Sequence, residues 1–187
     1  IFKIFERNNE LNVSRIIFTS SQYVIGPEHS GGNKLGYAPH TIYGISKVLL
    51  EQRALNLYDK FIKQGTELLI IRPTNVWGGR HPKYSNMWEK LLQKKLVIIP
   101  FKEVLKSYCH ISSLCSLFKK GAYNQDIKLT KDNFIIYGTD APISQSDWVS
   151  LQVEGLKENG ISANYHKAPL WFLYLLSSFL EILAKIF

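Results

Sequence analysis

An α/β fold built on a doubly wound parallel sheet is predicted by three features of the 187-residue sequence. The runs RIIFTSS and ELLIIRP each hold a short continuous block of branched apolar residues, the pattern of a strand covered on both faces. Between them lies a segment with helical periodicity, long enough for the crossover that parallel strands require. A stretch rich in glycine and proline, GPEHSGGNKLGYAPH at 26–40, reads as the loop between the first strand and that helix. This order implies a right-handed crossover.

Along the chain, the segment from Ile1 to about Asn9 suits the end of an amphipathic helix, and Asn12 to Ser14 a turn. The first strand centres on Ile16 to Phe18. Its carboxyl end delivers Ser20 and Ser21 to the side of the sheet where ligands bind in open α/β folds, although a serine pair can also simply open a loop. The helix is expected from about Thr41, its N-cap, to Gln64, with Gly65 as its stop. Ile45, Val48, Leu49, Leu55, Tyr58 and Ile62 form its expected apolar stripe, interrupted at Gln52. The second strand ends at Pro73 and points TNVWGG into the same crevice. Beyond Arg80, MWEKLLQKK reads as a helix, LVIIP as a strand and NFIIYG as another strand, followed by a helix capped by Ser144.

Composition narrows the function classes. The chain is 45% hydrophobic and 20% charged, an ordinary globular balance. Its formal charge of +8 and pI near 9.4 favour anionic partners. The lysines are dispersed and no finger, RRM or KH signature accompanies them, so nucleic acid is not an expected partner. Cys109 and Cys115 lack metal-ligand spacing and His110 is isolated from other candidate ligands, so no metal site is expected and a reduced, cytoplasmic protein is the simplest reading. The amino end is too charged for a signal peptide.

The chemistry-bearing pattern is YGISK at 43–47, with TSSQYVIG at 19–26 upstream of it. Residues four apart share a helical face, so the Lys47 ammonium can sit beside the Tyr43 phenol. A free tyrosine titrates near pH 10, and a neighbouring cation favours the phenolate that a general base needs. Tyr43 is therefore the candidate base for an alcohol proton, Lys47 its activator, and Ser21 the group that holds the reacting oxygen.

With RPTNVWGG at 72–79 as a third motif in order, the chain resembles the extended branch of the short-chain dehydrogenase/reductase superfamily, the NAD-dependent epimerases and dehydratases. The resemblance runs nearly end to end. It implies a partial Rossmann-like sheet with a small C-terminal substrate-binding region: residues 1–80 as the second half of a dinucleotide-binding domain, 81–166 as a substrate-binding region interleaved with returning sheet elements, and 167–187 as an apolar terminal helix. It implies NAD as cofactor, with NADP open, bound through Ser20, Tyr43, Lys47 and Pro73. It implies a nucleotide sugar as substrate, bound through Ser21, Asn75 and Lys106, and a homodimer as candidate assembly. Asn75 reads equally well as a turn residue, and Lys106 as a surface lysine.

Departures from the family pattern carry further expectations. No Gly-x-Gly-x-x-Gly or Gly-x-x-Gly-x-x-Gly occurs, and GGNKLG at 31–36 sits in a polar loop with no preceding strand. The expectation is a fragment lacking on the order of a hundred residues and inactive alone. In LKSYCHISSLCSLFKK, Lys106 stands where relatives carry an arginine, and Ser107, Ser112 and Ser113 where they carry acids. Lysine cannot offer the bidentate fork to a phosphate. Gln22 and Tyr23 occupy the place of a dehydratase's acidic pair, which disfavours dehydration.

The tail PLWFLYLLSSFLEILAKIF, 169–187, is close to membrane-span length yet carries Glu181 and Lys185. Peripheral contact with a membrane surface through 169–187 and a buried core helix are both open readings. The apolar tail also resembles that of the 3β-hydroxysteroid dehydrogenase group, which makes a hydroxysteroid or sterol dehydrogenase the alternative enzyme. A nonenzymatic dinucleotide sensor is the rival from another class.

Overall fold

The computed structural model describes residues 13–26, 36–57, 66–78, 84–123, 129 and 134–186. In chain order the elements are β1 (Arg15–Thr19), α1 (Ile42–Asn56), β2 (Glu67–Pro73), β3 (Asn75–Trp77), α2 (Tyr84–Gln93), β4 (Val97–Pro100), β5 (Leu105–Lys106), β6 (Tyr108–His110), α3 (Ile111–Tyr123), β7 (Ile135–Gly138), β8 (Ile143–Ser144), α4 (Gln145–Glu158), β9 (Tyr165–Ala168) and α5 (Leu170–Ile186). The chain divides into two compact units, each assembled from two stretches: 1–76 with 109–139, and 77–108 with 140–187.

In the first unit β1, β2 and β7 form a parallel sheet in the order β1-β2-β7. β1 pairs with β2 from Arg15 opposite Glu67 to Thr19 opposite Ile71, so the carboxyl ends of the two strands emerge side by side. β2 reads as expected, with Leu68 through Ile71 fully buried. Alternation splits these side chains between two cores. Leu68 and Ile70 join Ile16, Phe18, Phe134 and Ala54 of α1 on one face, whereas Leu69 and Ile71 join Cys109 and Leu114 beside α3 on the other. The mixed α/β class with parallel strands is therefore the one the apolar runs predict.

Thr41 caps α1, its hydroxyl accepting from the Gly44 N–H at 2.9 Å. The buried positions of α1 are Gly44, Val48, Glu51 and Ala54. Val48 and Leu55 pack inward as expected, whereas Ile45 and Leu49, 48% and 60% exposed, correct the stripe at those two positions. The reason is local. At Gly44 an added Cβ would overlap the Tyr23 carbonyl oxygen, so the glycine lets the helix lie directly on the turn after β1. Glu51 is buried because it has an ionic partner. Tyr58, Ile62 and Gly65 lie outside the described residues, as do residues 1–12 and most of the GGNKLG segment.

In the second unit β4 and β9 pair in parallel, and β5 and β8 pair antiparallel. Leu92, Val97, Ile99, Val149, Val153 and Ala163 form the core beneath α2 and α4. Ser144 caps α4 as expected, accepting from the Asp147 N–H at 3.0 Å. Gly160, at φ 75°, ends that helix in the left-handed conformation glycine tolerates. Glu103 accepts from the Ser146 hydroxyl and lies 3.5 Å from the Lys167 ammonium; both hold its carboxyl below the usual carboxylate range, the Ser146 hydrogen bond most strongly. α5 leaves Trp171, Tyr174, Leu175, Phe179, Leu180 and Ile182 exposed. Among the described residues no helix is long and apolar enough to cross a membrane.

The packing of α3 on the sheet generates a stability prediction. A Cβ added at Gly121 would stand 2.8 Å from the Leu69 Cδ2 methyl. Gly121→Val is expected to cost about 1–3 kcal/mol through overpacking, read as a lower urea midpoint with an unchanged slope.

Candidate active site

The sequence-assigned groups of the first unit gather around the carboxyl ends of β1 and β2. β1 terminates at Thr19, and the Ser20 N–H donates to the Ile71 carbonyl at 2.7 Å, which extends the strand pairing by one residue. Ser21 then turns the chain into a short 3-10 segment, Gln22–Val24, its hydroxyl accepting from the Tyr23 N–H at 3.3 Å. Both serines are buried, and among the described residues the Ser20 Oγ has no hydrogen-bond partner. An orphaned buried hydroxyl is costly, so this oxygen is suited to a ligand or an ordered water.

α1 brings Tyr43 and Lys47 to the same edge. The Lys47 Nζ donates to the Thr19 carbonyl at 3.1 Å and lies 5.6 Å from the centre of the Tyr43 ring. The ammonium is thus tied to the strand that supplies the serines while standing beside the phenol. Tyr43 is 53% exposed. Tyr23 meets the Tyr43 ring edge-on with centroids 6.1 Å apart, and His40 lies 5.9 Å from Tyr23.

Pro73 is buried at the end of β2, opposite Gly138 of β7. Thr74 clamps this corner, its N–H and hydroxyl both donating to the Gly138 carbonyl at 2.9 and 3.1 Å. Asn75, half-buried, follows at the start of β3. Lys106 belongs to the second unit, half-buried in β5 opposite Ile143. Ser112 replaces an acid of the family pattern and lies 2.6 Å from the His110 Nδ1. An open cavity of about 370 Å³ runs along α3, lined by Ser112, Ser113, Ser116, Leu117 and Lys120. It sits with the helix on the opposite face of the sheet from α1 and contains none of the groups assigned to catalysis. Among the described residues no cluster of His, Cys, Asp and Glu could hold a metal ion.

Four residues that the sequence reading passed over stand one turn behind this edge. The Arg72 guanidinium donates to both Glu51 oxygens, at 2.9 and 2.6 Å, and neither side chain has any solvent exposure. Its third nitrogen donates to the Tyr137 hydroxyl at 2.7 Å, and the Tyr37 hydroxyl donates to Glu51 at 3.0 Å. Both tyrosine rings lie within 6 Å of the guanidinium carbon, 5.8 Å for Tyr37 and 5.6 Å for Tyr137. The Glu51 and Tyr137 contacts hold Arg72 above its ordinary pKa against the opposing effect of burial. The available signal was spacing, since Tyr43, Lys47 and Glu51 recur every fourth residue.

The network sets an alkaline response. Burial, and then the Glu51 charge and hydrogen bond, push the Tyr37 phenol above its ordinary value. The folded state therefore holds this proton more tightly than the unfolded chain. Its contribution to stability is complete below pH about 10 and is lost as the pH rises towards the folded value. In Tyr37→Phe, stability measured by denaturant melts should fall less steeply above pH about 10 than in the parent; equal slopes would remove Tyr37 from the response.

Comparison with known proteins follows the same motifs. The chain is similar to UDP-N-acetylglucosamine 4-epimerase from Methanobrevibacter ruminantium, at 17% identity and a TM-score of 0.64 over 90% of this chain and 55% of that one. It is similar to UDP-glucuronic acid 4-epimerase from Bacillus cereus, in complex with UDP-glucuronic acid and NAD, at 20% identity and a TM-score of 0.64 over 89% and 52%. It is also similar to dTDP-glucose 4,6-dehydratase from Bacillus anthracis, in complex with NAD, at 15% identity and a TM-score of 0.58 over 82% and 50%. The chain thus spans about half the length of these structures, and at such identities the likeness shows the fold alone. No curated protein matches it. A family model matches residues 2–118, which takes in the serine turn, the Tyr43–Lys47 helix, both long strands and the Tyr108–His110 segment: the chain belongs to the NAD dependent epimerase/dehydratase family.

Proposed function

We propose that the protein containing this chain is an oxidoreductase of the epimerase/dehydratase type that oxidises a secondary alcohol of a nucleotide sugar with NAD. The observation that carries the reading is Lys47, bound to the strand end at Thr19 and standing beside an accessible Tyr43. The UDP-glucuronic acid and NAD bound by one similar structure, and the NAD bound by another, support it. The residues present fit the nicotinamide half of the cofactor, because the orphaned Ser20 hydroxyl and the Lys47 ammonium offer polar atoms at the strand ends. The sequence holds no glycine-rich pyrophosphate turn.

When bound, NAD supplies the acceptor for the hydride that leaves the alcohol carbon. Tyr43 takes the hydroxyl proton as the carbonyl forms, with the Lys47 ammonium standing 5.6 Å from the centre of its ring. Lys47, anchored on the Thr19 carbonyl, would also hold the ribose. The Ser21 hydroxyl, held at the head of the 3-10 turn, positions the reacting oxygen and donates to it. Pro73 would adjoin the ribose and Asn75 would contact the sugar; Lys106, in the second unit, is taken by itself as a point charge suited to a diphosphate. Gln22 and Tyr23 in place of an acidic pair favour epimerisation or simple oxidation over loss of water. Replacing Tyr43 with Phe in the full natural protein should lower kcat by roughly 10²- to 10⁴-fold without loss of folding. Near-parental turnover would remove Tyr43 as the base.

We further propose contact with a membrane surface through α5. Trp171, Leu175, Phe179 and Ile182 fall on one exposed stripe at helical spacing, and Ser177 and Glu181 fall outside it. The stripe also favours the alternative of a hydroxysteroid or sterol substrate, which reaches an enzyme from the bilayer. Replacing Trp171, Leu175 and Phe179 together with Glu should abolish sedimentation with vesicles of phosphatidylcholine and phosphatidylserine and leave Lys47-dependent chemistry intact. Failure of the parent to sediment would overturn the membrane reading.

A further inference from the structure

Glu51 and Arg72 take no part in the proton and oxygen chemistry proposed above, yet both side chains are fully withdrawn from solvent. Stability alone is a weak reason for such a pair, because well-packed apolar residues of similar volume often serve as well or better. What an apolar pair lacks is direction. The two-point fork between Arg72 and Glu51 fixes both the rotation and the axial position of α1 against β2. Tyr137 sits in register with Arg72 on the neighbouring strand and braces the guanidinium from β7. Tyr37 braces the carboxylate from the segment that leads into the Thr41 cap, and the Ala38 N–H ties that same segment to the Val24 carbonyl at 3.0 Å.

The helix converts this fixation into site geometry. Tyr43, Lys47 and Glu51 are successive fourth residues, so they share one side of α1 with a drift of about 40° per step. A slip of one residue would shift the helix by about 1.5 Å and turn it by about 100°. Lys47 would then lose the Thr19 carbonyl.

We propose that Glu51 and Arg72 are positioning residues that hold Lys47 and Tyr43 at the ends of β1 and β2, with Tyr37 and Tyr137 locking the pair. The kinetic consequence rests on the functional reading above; the geometric consequence does not.

The test compares the full natural protein with the double variant Glu51→Leu/Arg72→Met, an apolar replacement of the pair, and with Arg72→Lys, which keeps the charge and loses the fork. Three quantities are read: the thermal midpoint, the rate at which an amine-acylating reagent modifies Lys47 relative to Lys157 by peptide mass spectrometry, and kcat and KM separately. The double variant should fold cooperatively and yet show Lys47 modified several-fold faster with Lys157 unchanged. Its kcat should fall by about 10²-fold, the size expected of a misplacement of about 1 Å, with KM for the nucleotide sugar little changed. Arg72→Lys should raise Lys47 modification in the same direction, and decides the matter if the double variant does not fold. Unchanged Lys47 protection in a folded variant would overturn the proposal. If the parent turns over no nucleotide sugar, the functional reading fails while the labelling still decides the positioning role.

Discussion

The Glu51 carboxylate and the Arg72 guanidinium are both withdrawn from water, and neither would be tolerated in that position without the other. Their fork joins the middle of α1 to the carboxyl end of β2, the two elements that flank the proposed active site. A single cation cannot satisfy this environment by charge alone. The guanidinium uses its planar donors for Glu51 and Tyr137 and its faces for the rings of Tyr37 and Tyr137, so nearly every surface of the ion has a partner. The apolar cores on the two sides of the sheet hold the layers together; the fork decides where along the strand α1 comes to rest.

Two further constraints act on the same helix. Gly44 removes the side chain that would collide with the Tyr23 carbonyl, so the first turn of α1 lies close to the backbone that follows Ser21. The Lys47 ammonium then donates to the Thr19 carbonyl at 3.1 Å and links the second turn to the end of β1. Glycine contact, lysine anchor and buried fork fall at residues 44, 47 and 51, and the tyrosine proposed as the base stands at the start of that series. Rotational freedom of Tyr43 relative to Ser20 and Ser21 is thereby reduced, which is the entropic contribution an active site requires of its scaffold.

Much of this was legible in the sequence where a local rule has a local cause. The continuous apolar run of ELLIIRP became a central parallel strand, and Thr41 and Ser144 became N-caps because a side-chain oxygen there satisfies a free N–H. The buried face of α1 is only partly legible, because apolar spacing does not mark the positions where a glycine or a paired carboxylate turns inward. Ile45 and Leu49 point outward, and Val48 shares the inner face with a glycine, a paired carboxylate and an alanine. No single-sequence pattern announces that a glutamate has its arginine on a strand twenty-one residues away. The tail was ambiguous for a different reason: apolar content says that α5 needs a nonaqueous neighbour, and the exposure of Trp171 and Leu175 shows that the second unit does not supply it for those side chains.

The central claim is that the edge formed by Ser20, Ser21, Tyr43 and Lys47 receives the nicotinamide end of NAD and a substrate oxygen. The most direct measurement is a crystal structure of the full natural protein with NAD and a nucleotide sugar. The Lys47 Nζ and the Tyr43 hydroxyl are expected within about 3.2 Å of ribose hydroxyls or the reacting oxygen, and the Ser21 Oγ facing that oxygen. A cofactor bound away from α1, with Tyr43 and Lys47 left facing solvent, would contradict it.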